Sequence, residues 1–159
     1  MKKITIIEKT QERISAHKFS SNDLIHQNQV GYINQILLDQ DFGCKEALVK
    51  ELCTKLNGYK QQDVSKSVYR ENEFIKKDEL IEKLVCSRLI CHYCGKKLNI
   101  VYINCCDKTQ WTLDRVDNDQ GHNTNNVLVA CLGCNLKRRR LDKDKFLFSK
   151  RMTIVKLDT

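Results

Sequence analysis

The sequence predicts an α+β fold: a mainly helical N-terminal region packed on a metal-stapled domain of short strands and one helix. Three observations predict it. Apolar residues recur at helical spacing in three stretches of the first 87 residues. Short β-branched runs gather later, at 98–103, 110–116 and 127–130. Two Cys-x-x-Cys pairs, Cys91/Cys94 and Cys131/Cys134, bracket those runs.

Taken in order, residues 3–7 read as a short strand. Ser21-Asn22-Asp23 supplies N-cap chemistry for a helix carrying Leu24, Ile25, Val30, Ile33, Ile36 and Leu37. Lys45–Leu56 places Ala47, Leu48, Leu52 and Leu56 on one stripe, and Asn57-Gly58 is expected to end that helix. Residues 61–77 are polar and carry no periodic signal. Asp78 then caps a third helix with Leu80, Ile81, Leu84 and Val85 on its apolar side, and a boundary near Arg88 divides the chain into 1–87 and 88–159. Beyond it, 98–103 reads as a strand, and 110–116 and 127–130 as two more around the Asn-, Asp- and Gly-rich loop 117–126. A last helix is expected to start near Cys134-Asn135 and to run through Leu136, Leu141 and Phe146.

A chain of 159 residues with 41% apolar content buries one ordinary core or two small ones. No run approaches 18 apolar residues and no leader pattern is seen, so the expectation is a soluble protein of a reducing intracellular compartment, cytoplasm or nucleus, without a membrane partner. Nine cysteines, an odd number with four in paired knuckles, fit reduced thiols and a metal better than a disulfide framework. Cys44, Cys53, Cys86, Cys105 and Cys106 are read as small apolar fillers. Trp111 is read as core, and His17 and His26 as ordinary packing or surface residues.

Charge divides unevenly. Residues 1–90 carry 15 Lys and Arg against 13 Asp and Glu, whereas residues 91–159 carry 13 against 7. The excess concentrates at Lys137, Arg138, Arg139, Arg140, Lys143 and Lys145, with Lys150 and Arg151 beyond, a density that favours a polyphosphate partner.

Two Cys-x-x-Cys knuckles read as one tetrahedral Zn²⁺ site with four thiolates at ~2.3 Å, closed and therefore structural. The 36 residues between Cys94 and Cys131 leave room for a hairpin that carries something else. Asp114 lies on its first strand, and Asn135 follows Cys134 directly, so fixing that cysteine also fixes the Asn135 backbone. A carboxylate and an amide oxygen brought together suit Mg²⁺.

The order Cys-x-x-Cys, Leu-Asp-Arg-x-Asp-Asn with Gly-His, then Asn-Val-x-x-x-Cys-x-x-Cys-Asn and a basic run, resembles the zinc-containing branch of the HNH, or ββα-metal, nucleases. It is similar in particular to the phage recombination endonuclease VII group. The resemblance covers roughly residues 88–150 and implies a zinc-stabilised ββα-metal (HNH) domain. By position, Cys91, Cys94, Cys131 and Cys134 match the zinc ligands, Asp114 and Asn135 the catalytic-metal ligands, and Asn126 the middle Asn of the HNH signature, here read as a loop-orienting residue. The family's general-base histidine directly follows its metal-binding Asp. Here that position is Arg115, which does not accept a proton from water.

His122, the only histidine near the hairpin, is the first candidate for the base and Asp117 the second, while Arg115 suits a phosphate oxygen. The leading expectation is an Mg²⁺-dependent, zinc-stabilised DNA endonuclease, acting by resemblance on branched or recombining DNA. The alternatives are a zinc-stabilised nucleic-acid-binding module that no longer cuts and a protein-interaction subunit. The N-terminal region is the expected surface for a homodimer or a protein partner.

Overall fold

A computed structural model describes residues 13–14 and 19–153. The expected strand at 3–7 and His17 lie outside the described residues. The elements are α1 (His26–Leu37), α2 (Lys45–Ser65), α3 (Lys77–Ser87), β1 (Trp111–Arg115), β2 (Val127–Cys131), α4 (Leu132–Arg138) and α5 (Lys143–Arg151), with one 3₁₀ turn at Thr124–Asn126. The class is α+β, as expected. Among the described residues no helix is long and apolar enough to cross a membrane.

The sheet is a two-stranded antiparallel ribbon in which Trp111 pairs with Cys131, Leu113 with Val129 and Arg115 with Val127. α4 packs on both strands, α3 lies on β2, and α1 packs on α3. The buried apolar side chains form one cluster, from Ile33 and Leu48 through Leu80 and Leu84 to Trp111, Leu113, Val129 and Phe146. That core is continuous across residue 88.

Why α2 runs on past Asn57-Gly58 to Ser65 is answered by what its later turns hold. Lys55, Tyr59 and Asp63 repeat every four residues and so share one helical face. The Lys55 ammonium donates to the Trp111 carbonyl and, at 2.8 Å, to Gln110 Oε1. The Leu113 N–H donates to Tyr59 Oη at 3.1 Å, and Asp63 accepts from the backbone and ring of His122. Partners 54 to 59 residues away thus override the local stop signal. Lys55 also lies 4.6 Å from the centre of the Trp111 ring, and burial pushes its pKa down to about 7.

Other expectations are corrected by where side chains find their partners, some local and one distant. α1 begins after Ile25, because Asp23 is taken up by Ser20 and by the Tyr32 hydroxyl at 2.8 Å. α3 is closed at its start by Glu79, whose carboxylate accepts from Lys76 N at 2.7 Å; Asp78 lies one residue inside the helix. The 98–103 run is no ladder strand: the amides of Ile100 and Val101 both donate to the Oε1 of buried Gln29. The C-terminal helix is two helices. Arg139, at φ 52° and ψ −112°, ends α4, and Asp142 caps α5 by accepting from Asp144 N and Lys145 N at 3.0 Å each. Of the cysteines read as fillers, Cys86, Cys105 and Cys106 are exposed, while Cys44 and Cys53 are half-buried.

Candidate functional site

The knuckles come together. The sulfur atoms of Cys91, Cys94, Cys131 and Cys134 all lie within 4.8 Å of one another, three of the residues are buried, and no other cysteine among the described residues joins them. Amides of the second knuckle point at sulfur in both knuckles: Cys134 N donates to Cys131 Sγ and Cys131 N to Cys91 Sγ, both at 3.3 Å. Gly95 follows the first knuckle at φ +66°, a setting that favours glycine, and its N–H closes the turn onto the Cys91 carbonyl at 3.0 Å. Contact with the Cys131 thiol and nearby amides pushes the Cys91 thiol well below its ordinary value, while the same contact pushes Cys131 up. Four thiols this close do not all ionise without a cation among them. A buried tetrad of soft donors fits a structural zinc ion.

His92, inside the first knuckle, is not part of this group. Its N–H donates to the Val129 carbonyl at 3.1 Å, which ties the knuckle to β2.

On the ribbon face turned to α4, Thr112 and Asp114 point the same way, two residues apart. The Asn135 Nδ2 donates to Thr112 Oγ1 at 3.1 Å and to the Leu113 carbonyl at 3.3 Å, so its donor side grips β1 and no hydrogen bond among the described residues uses its Oδ1. Asp114 is 3% exposed and fully engaged. Its Oδ2 accepts from the Tyr93 hydroxyl at 2.5 Å, and its Oδ1 accepts from an Arg138 Nη2 at 3.1 Å. Arg138 Nε lies 2.6 Å from Oδ2 but off the hydrogen-bonding line, so that contact is an ion pair only. Burial, then the Asp114 contact, push the Tyr93 phenol well above its ordinary value. The Arg138 Nη2 also donates to the Arg115 carbonyl, and its Nη1 to the Leu141 carbonyl at 2.6 Å.

Asp114 and Asn135 carry the oxygen donors that Mg²⁺ takes. As arranged they do not fit it: both carboxylate oxygens are committed, and a guanidinium already stands against them. A second cation there would meet like charge in a buried setting.

The remaining site residues lie elsewhere. His122 is 3% exposed; its Nδ1 lies 2.7 Å from Asp63 Oδ1, its N–H donates to Asp63 Oδ2 at 2.6 Å, and its ring lies 4.5 Å from that of Tyr59. It is a tie between the loop and α2. Asp117 organises its own turn, accepting from Asp119 N and Gln120 Nε2 at 2.9 Å each, and those donors hold its carboxyl below the usual range. Asn126 staples the same loop: Oδ1 accepts from Asp117 N, and Nδ2 donates to the carbonyls of Asp117 and Gly121, all at 2.9 Å. Arg115 is half-buried and donates to the Gln120 carbonyl at 3.0 Å.

Of the basic run, Lys137, Arg139, Arg140 and Lys145 are exposed and Lys143 is half-buried. Arg138 is corrected: at 1% exposure it is interior, bound to Asp114, and presents nothing to a surface partner. The start of α4 offers no anion seat. The helix starts at Leu132, and its first three amides are consumed by the Gln110 carbonyl at 2.9 Å, the Lys108 carbonyl at 2.9 Å and Cys131 Sγ at 3.3 Å. Sequence reasoning missed Tyr93 and Arg138 as partners of Asp114. The signal for Arg138 was its spacing three residues after Asn135, which places both on one helix face.

No family model, curated protein or solved structure matches the chain.

Proposed function

We propose that the chain binds DNA on a zinc-stapled ββα scaffold, through the exposed cations of α4 and the turn that follows it, without metal-dependent cleavage of the strand. The observation that carries this reading is the Asp114–Arg138 pair. On the arrangement that the sequence resembles, that carboxylate would hold the catalytic metal; here it is neutralised by its own chain. The base position is Arg115, and His122 is committed to Asp63. What remains accessible is a group of exposed cations, Lys137, Arg139 and Arg140, with Lys145 on α5 beyond, of the kind that neutralises phosphates.

A second reading, the Mg²⁺-dependent endonuclease, is favoured by one observation. Asn135 grips β1 through its amide nitrogen beside Asp114, which leaves its Oδ1 unclaimed. That reading requires Arg138 to leave Asp114 when substrate arrives.

One experiment separates them: DNA binding across a salt series, with cleavage of linear and branched DNA followed with and without Mg²⁺. Salt-dependent binding with no cleavage supports the binding module. Mg²⁺-dependent cleavage that is lost in Asp114→Asn, with binding retained, establishes the endonuclease instead. Absence of DNA binding overturns both in favour of a protein-interaction subunit.

A further inference from the structure

Two leucines stand on the basic surface where a core residue would not be left. Leu136 is 52% and Leu141 57% exposed, and with Lys137, Arg139 and Arg140 they line one open depression of about 600 Å³. Leu141 is presented rigidly. Its N–H donates to the Arg138 carbonyl at 2.9 Å and its carbonyl accepts from Arg138 Nη1 at 2.6 Å, so both backbone groups are clamped by a residue that Asp114 in turn anchors. The clamp is reached through Arg139 at φ 52° and ψ −112°, a setting that non-glycine residues rarely take and that neighbouring structure must hold in place.

A fixed apolar knob ringed by cations suits a partner that is anionic outside and apolar within. Nucleic acid has that make-up, phosphates around stacked bases. An apolar side chain enters the stack as a wedge, and entry costs least where stacking is already weak.

Resting on the DNA-binding reading, we propose that Leu141, with Leu136 beside it, is an apolar wedge that enters duplex DNA at weakly stacked positions such as a mismatch or a bulged base. Lys137, Arg139 and Arg140 hold the flanking phosphates, so the cations set general affinity and the leucines set preference for a weakened step.

The test uses the full zinc-loaded chain and two duplexes, one fully paired and one with a single mismatch beside 2-aminopurine. Wild-type protein is expected to prefer the mismatched duplex and to raise the 2-aminopurine signal on binding. In Leu136→Ser/Leu141→Ser, the preference should fall roughly tenfold and the signal rise should vanish, with paired-duplex affinity and salt slope kept. Circular dichroism and zinc content check the fold, and both side chains are exposed enough for the exchange to be tolerated. If the wild type binds DNA with no preference and no signal change, or if the double variant equals it, the wedge is overturned while the DNA-binding reading stands. Equal loss on both duplexes assigns the leucines to general docking and also overturns the wedge. If the wild type binds neither duplex, the DNA-binding reading itself falls, and the patch belongs to an acidic protein partner.

Discussion

Arg138 Nε stands 2.6 Å from Asp114 Oδ2, with both residues at most 3% exposed, so the basic run places one of its charges inside the protein. Neither partner can be removed alone without leaving a buried charge. Arg138→Met should destabilise the fold by about 3–5 kcal/mol, whereas Arg139→Met, at an exposed position, should change it by less than about 0.5 kcal/mol. Adding Asp114→Leu to Arg138→Met should recover much of the loss. Urea denaturation of the four proteins is the measurement, and equal midpoints for the two single variants would remove Arg138 from the interior.

Zinc should be a folding ligand. The four sulfurs carry one end of β2, the start of α4 and the loop before the ribbon, so strong chelation or Cys131→Ser is expected to unfold the C-terminal part. Cys44→Ser, distant from the tetrad, is expected to leave zinc content and fold unchanged. Elemental analysis of purified protein, read beside circular dichroism, checks this.

His122 should make stability depend on pH. Burial holds its pKa below the ordinary value, with Arg115 and Lys66 acting in the same direction and Asp63 opposing them. The unfolded imidazole therefore binds its proton first as pH falls. Its contribution is fully present above about pH 6.5, the unfolded value, and is lost progressively below it. Denaturation midpoints should fall between pH 7.5 and 5.5, and His122→Gln should flatten that slope; an unchanged slope would assign the dependence to another group.

Gly121 should tolerate no side chain. A Cβ there would lie 2.8 Å from both Asp63 Oδ2 and the Val68 carbonyl, and the second of these is backbone. Gly121→Ala is expected to cost roughly 1–3 kcal/mol by prising the loop from α2. Gly31→Ala, with nothing within 4 Å of its Cβ and a helical setting, should instead stabilise by up to about 1 kcal/mol. Thermal melts of the two variants should move in opposite directions.

What could be read from the sequence was what local spacing encodes. Paired Cys-x-x-Cys segments predict a tetrad, and the adjacency of Asn135 to Cys134 brings Asn135 beside the strand of Asp114, as the structure has it. The unread parts depend on distant partners. Asp63 meets His122 across 59 residues, so His122 read as a candidate base. Asn57-Gly58 looked like a stop because nothing local reveals that Tyr59 and Asp63 are needed beyond it. The β-branched run at 98–103 makes only a single bridge, Asn99 to Gln110, because the side chain of Gln29 meets the next two amides instead. Arg138 was hidden among identical neighbours, distinguishable only by helical phase.

The face of α2 formed by Lys55, Tyr59 and Asp63 has a consequence for crowded solutions. A two-stranded ribbon ordinarily offers a bare row of amides and carbonyls to any passing extended segment, and so invites edge-to-edge association. On β1 that row is already occupied, with the Trp111 carbonyl held by Lys55 and the Leu113 amide by Tyr59. The outer rim of β1 is thereby sealed against strand addition, and copies of this chain have no template there from which to grow into aggregates.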